Sequence, residues 1–161
     1  MSGKEILTPS VDRSRLVPPA TPSNAISRKH LFHLFETDLP GVTVVAAPAG
    51  FGKSSLVSQW AQSVERPTVW FSVNPEDSMQ TFFAHVLEAI RIVFPGFAAD
   101  FKNEPGPNAL QNIKKLTTAV GEIKSGFNFV LNNAATDNPV VADFSQALID
   151  HLPDNVHLVI I

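Results

Sequence analysis

Nine consecutive residues, Ala47-Pro48-Ala49-Gly50-Phe51-Gly52-Lys53-Ser54-Ser55, have the types and the spacing to hold a chain of phosphates. Gly50 and Gly52 allow a tight turn whose N–H groups converge on an anion, an approach that a Cβ would obstruct. Lys53 then reaches the β- and γ-phosphates of a nucleotide, and the Ser54 hydroxyl is placed to ligate Mg²⁺. A helix opening at this point aims its positive end at the same anion. Ala49, Gly50, Phe51, Gly52, Lys53, Ser54 and Ser55 are therefore the candidate contacts to ATP or ADP, and Ser54 is the candidate metal ligand. The loop is of Walker A type, with Ala47 in place of its first glycine.

Such a loop works between a strand and a helix, and the flanks supply both. Gly41 to Ala46 reads as a buried parallel strand, and Ser54 to Ala61 as an amphipathic helix. Upstream, Met1 to about Asn24 is rich in Pro and Ser and shows no sustained period, as expected of an extended arm. Helix signals run from Ser27 to Phe35 and end at Leu39-Pro40-Gly41. Downstream, a strand over Thr68–Val73 stops at Asn74-Pro75, and a helix follows across Thr81–Ile90 before Pro95-Gly96. Pro105-Gly106-Pro107 marks a loop, and a helix over Ala109–Val120 comes next. Strand Phe127–Leu131 ends in Asn132-Asn133, and a helix over Phe144–Leu152 precedes a last strand over Val156–Ile161. Strands alternating with helices imply an α/β fold, a parallel sheet covered on both faces and wound by right-handed crossovers. Residues 1–25 are read as the arm and residues 26–161 as the nucleotide-binding domain.

The chain has 161 residues, 44% of them hydrophobic, enough for the core of one domain. A net charge of −3 and a pI near 5.9 argue against a broad basic face, and so against direct nucleic-acid binding. There are no cysteines, hence no disulfide framework and no thiolate metal site. No run reaches the apolar length of a membrane span, and Met1 to Glu5 lacks the apolar region of a secretory signal, so the cytoplasm is the expected location. His30 and His33, three apart, read more simply as exposed helix histidines than as a metal pair, and Lys114-Lys115 as a solvated face. Trp60, Trp70 and the Phe-rich helix read as core.

The stretch Val44 to Trp60 resembles the P-loop of the STAND-class signalling ATPases in large ATP-binding LuxR-type transcriptional regulators, relatives of the maltose-operon activators. Trp70-Phe71-Ser72-Val73-Asn74-Pro75-Glu76-Asp77 resembles the second strand and acidic turn of that family, with Phe82-Phe83 in the following helix. Phe129 to Asn133, Ala147 to Pro153 and His157 to Ile161 are similar to the region from the Walker B strand to the sensor strand. Pro18-Pro19 and Ile26 to Leu31 resemble the arm that packs near the adenine, which makes Arg28 a further nucleotide contact by resemblance. The likeness implies a P-loop NTPase three-layer sandwich that binds ATP as a conformational switch. It also implies partners: C-terminal winged-helix, sensor and DNA-binding domains, or a separate protein.

Two departures shape the expectation. Family members end the third strand with two aspartates, whereas this chain has Asn132 and Asn133. Asparagine carries no negative charge and is no general base, so Mg²⁺ is held more weakly and a rate term of about 10²–10⁴ is missing. Glu76, Asp77, Asp137 and Asp143 are the acids available as substitutes, and nothing in their spacing favours any of them. The family sheet order is 5-1-4-3-2, and this sequence reads as truncated after its fourth strand, which leaves the first strand at an edge. The leading reading is an ATP- or ADP-binding regulatory module with weak or no hydrolysis. The alternatives are an active ATPase or small-molecule kinase, and a pseudo-ATPase acting through protein contacts.

Overall fold

The computed structural model describes residues 10–97 and 109–161. Met1–Pro9 of the arm and the Pro105-Gly106-Pro107 loop lie outside the described residues. Four strands, β1 (Gly41–Val44), β2 (Thr68–Ser72), β3 (Phe127–Asn132) and β4 (Val156–Ile160), form one all-parallel sheet in the order β1-β4-β3-β2. The helices are α1 (Lys53–Ser63), α2 (Met79–Val93), α3 (Ala109–Gly121) and α4 (Pro139–Asp150). The architecture is α/β, with helical layers on both faces of the sheet.

Period-two alternation sorts the strand residues between two cores. Val69, Phe71, Phe129, Leu131 and Leu158 pack beneath α2, α3 and α4. Trp70, Val130 and Val159 face the other way, onto Val57 and Trp60 of α1 and onto Phe35. The larger core is held by edge-to-face aromatic contacts: Phe71 with Phe82 at 5.1 Å and Phe82 with Phe144 at 4.9 Å between ring centres. In the smaller core Phe35 stacks on Trp60 at 4.8 Å.

Local chemistry fixes the helix starts. Ser78 caps α2 by accepting from the Thr81 N–H, and Asn138 caps α4 by accepting from Val140 N–H, with Pro139 in the first turn. The Asn-Pro cap starts α4 five residues before the Phe144 expected from apolar spacing alone. The helix expected over Ser27–Phe35 is a 3-10 helix over Lys29–Phe35. It has no side-chain cap at Arg28, and the three-residue period sets Phe32 and the buried Phe35 on one side. The arm carries a second 3-10 turn, Arg13–Leu16, with Leu16 in the larger core.

Strand β1 forms one edge, and its Val42 and Val44 are 43% and 65% exposed. At the other edge, the arm meets β2: Arg15 Nε donates to the outward carbonyl of Ser72 at 2.9 Å, which blunts that edge. Among the described residues, no helix is long and apolar enough to cross a membrane.

A polar row crosses the sheet near the strand N-termini. The Thr43 hydroxyl lies 2.9 Å from His157 Nε2, His157 Nδ1 lies 3.3 Å from Asn128 Oδ1, and Asn128 Nδ2 donates to Thr68 Oγ1 at 3.2 Å. With Asn128 oriented this way Nδ1–H is the donor, and in the neutral imidazole Nε2 accepts from the Thr43 hydroxyl. Burial, and then the positive charge of Arg66, lower the His157 pKa from 6.5 to about 4.

Two predictions follow from the packing. Between about pH 6.5 and 4 the unfolded chain binds a proton that folded His157 refuses, so stability falls as pH falls through that window. A His157→Gln variant should show a flatter decline in melting temperature there; an equal slope in both proteins excludes His157 as the source. Phe82→Ala, which removes the ring shared by Phe71 and Phe144, should cost about 3–5 kcal/mol in urea unfolding.

Candidate functional site

The loop between β1 and α1 stands exposed at the C-terminal end of the sheet, from Ala46 to Phe51. Gly50 has φ +84° and Gly52 φ +71°, both in the left-handed region. At Gly50 a Cβ would meet nothing within 4 Å, so the backbone conformation, not crowding, calls for glycine there. Gly52 is the N-cap of α1, and its carbonyl accepts from Leu56 N–H at 2.9 Å.

The cations of the site are held by the loop's own backbone. Lys53 Nζ donates to the carbonyls of Ala47 at 2.7 Å and Pro48 at 3.1 Å. Arg28 Nη1 donates to Phe51 O at 2.9 Å, and its guanidinium lies 3.5 Å from the Cβ position of Gly52. Gln59 of α1 steadies this part of the arm, accepting from Arg28 N–H at 3.4 Å and donating to Ile26 O at 3.3 Å. Two positive side chains and a helix N-terminus thus converge on one exposed loop, a field that attracts an anion.

Beneath the loop, Ser54 Oγ donates to Asn132 Oδ1 at 2.6 Å. Asn132 is buried, and its Nδ2 donates to Ser72 Oγ at 3.0 Å, which also accepts from Trp70 Nε1 at 3.0 Å. Asn133 takes a left-handed conformation, φ +58°, and is exposed. The structure therefore brings Arg28, Lys53, Ser54 and Asn132 to one place and separates the fates of the two asparagines.

The substitute acids do not assemble there. Asp77 is buried and spent in a bidentate ion pair with Arg15, and it accepts from Asn74 N–H at 3.1 Å. Glu76, Asp137 and Asp143 are exposed. His30 and His33 are exposed as well, and among the described residues no group of three metal-ligating side chains forms. With an amide facing Ser54, the donor set suits a phosphate better than a divalent cation. A groove of about 580 Å³, walled by Phe35, Trp60, Arg66 and Asn128, also carries the carboxylates of Glu36 and Asp38, which repel phosphate.

Sequence reasoning missed Ser72, Gln59 and Arg15. Ser72 shares the face of Trp70 by period two, which was a usable signal, but its pairing with Asn132 depends on strand register.

No family model matches the chain. It is similar to the "Serine/threonine-protein kinase PknK" of two strains of Mycobacterium tuberculosis and to the protein of the same name in Mycobacterium bovis. In each case identity is 27% over 124 residues, covering 72% of this chain and 11% of the relative. The chain therefore spans about a tenth of the length of these curated relatives and is a distant, partial relative of a kinase.

Proposed function

We propose that the chain is a nucleotide-binding regulatory module that takes ATP or ADP in the loop from Ala49 to Ser55, with Arg28 as a further contact, and turns it over slowly or not at all. One observation carries the reading: Gly50 and Gly52 in left-handed conformations present the loop at the start of α1, with Lys53 and Arg28 parked on loop carbonyls. A phosphate offers both cations stronger, charge-assisted partners than those carbonyls, so exchange is favourable. Ser54 is the one Mg²⁺ ligand in this reading, and the neutral Asn132 beside it weakens the metal. The likeness to a serine/threonine-protein kinase supports a regulatory setting, and the signalling-ATPase resemblance supports a role within a transcriptional regulator, alongside further domains or a protein partner.

Titration calorimetry with ATP and ADP, with and without Mg²⁺, tests the reading. Binding should occur in both conditions, with little gain from Mg²⁺, and Lys53→Ala should abolish it. At 100 times the dissociation constant, the ligand should stabilise the fold by about 2.7 kcal/mol. Absence of any heat or thermal shift overturns the proposal in favour of a fold acting through protein contacts alone.

Turnover should stay below about 1 s⁻¹. Replacing Asn132 and Asn133 together by Asp should raise it by about 10²-fold or more if the missing carboxylates are the limit. Rapid hydrolysis by the unaltered chain would establish an active ATPase instead.

A further inference from the structure

We propose that Asn132 is a two-way connector that ties the state of Ser54 to the anchoring of the N-terminal arm. This inference rests on the nucleotide reading for its trigger, but the connection itself is a property of the ligand-free chain.

The path is continuous. Ser54 Oγ donates to Asn132 Oδ1, and Asn132 Nδ2 donates to Ser72 Oγ. The backbone carbonyl of the same Ser72 accepts from Arg15 Nε at 2.9 Å. Arg15 is then locked by Asp77, lies over the Phe71 ring at 5.2 Å and approaches His85 Nε2 at 3.4 Å. His85 Nε2 also accepts from Asp12 N–H at 3.0 Å, and Nδ1 faces Thr81 O at 2.7 Å. Asn138 Nδ2 donates to the carbonyls of Pro75 and Asp77 and holds the turn that carries Asp77.

An amide suits this position because it offers an acceptor on one side and a donor on the other. Held from both ends in a buried site, it has one satisfied orientation, and losing either partner leaves a buried polar atom unpaired. Drawing the Ser54 hydroxyl toward a bound phosphate group removes the partner of Oδ1. Asn132 then shifts or rotates, and Ser72 moves with it, so the Arg15 anchor loosens.

The arm feels the site at its other end too. Ser58 Oγ of α1 donates to Pro19 O at 2.8 Å, and Arg28 sits on Phe51 O. From Asp12 to Arg28 the arm is thus a strap fixed at β2 by Arg15, whose Ser72 partner is also held by Asn132, and at the loop by Arg28. A ligand that takes Ser54 loosens the strap at β2 while Arg28 passes from Phe51 O to the ligand, so occupancy shifts the balance of the arm's two attachments and reaches whatever the arm touches.

Amide hydrogen exchange on residues 12–17 tests the relay, with the Leu116 amide of α3 as an internal control. In ligand-free protein, Asn132→Ala should speed exchange of these arm amides at least about fivefold while the control is unchanged. Ser54→Ala, at a half-exposed position, should act in the same direction and serves if Asn132→Ala does not fold. Saturating ADP should speed arm exchange in the unaltered chain and add nothing in Asn132→Ala. Arm exchange unaffected by both substitutions overturns the relay, whether or not ADP binds. Failure of ADP to bind, with the ligand-free effect intact, removes the proposed trigger and leaves the connection standing.

Discussion

A slip of β3 by one residue against β2 would turn Phe129 and Leu131 toward α1 and take Asn132 out from under Ser54. The register of this central strand therefore governs both cores and the candidate site at once. Pairing of Ser72 with Asn132 on one side, and of Leu131 with Ile160 on the other, fixes which residues reach the loop. Hydrophobic faces alone specify register only in steps of two, and the polar groups settle the remainder.

Those polar groups lie in two rows, one toward each end of the strands. Thr43, His157, Asn128 and Thr68 cross the whole sheet at one end, and Ser54, Asn132 and Ser72 join helix to strands at the other. Asn128 and His157 are fully buried, so an offset of two residues would strand their amide and imidazole without partners. Each unsatisfied group costs about 1–3 kcal/mol, a large share of the net stability of a domain this size. The same term that fixes the fold makes the site sensitive: a row satisfied in only one arrangement transmits the loss of any member.

Much of this was legible in the sequence. The Walker A spacing located the loop, apolar runs located all four strands though the first, expected buried, has Val42 and Val44 exposed, and Trp60, Trp70 and Phe82 are core as their types suggest. The expected edge position of the first strand is seen in β1, with Val42 and Val44 exposed. Local competition explains the misses: the Asn138-Pro139 cap outweighed the apolar spacing that pointed to Phe144, and an uncapped start at Arg28 left a 3-10 helix. The Arg15–Asp77 pair joins residues 62 apart, and a single chain of letters carries no sign of such a meeting. Proline and serine content pointed to an extended arm and gave no sign of Leu16 and Arg15, the two side chains that dock its described part.

The asparagines then read differently from a simple loss. At the end of β3 an acid would set a negative charge under Ser54, close to the loop that Lys53 and Arg28 make positive. With Asn132 the field stays positive, and an anion is favoured on charge alone, without a metal to mediate. Asn133, left-handed and exposed, makes no such contribution, so the two asparagines differ: Asn132 is buried between Ser54 and Ser72, and Asn133 lies at a surface turn. Under the proposed function such a site lacks a base to drive hydrolysis, while its loop and cations take the phosphate. In the proposed reading, occupancy rather than turnover is the quantity the molecule reports.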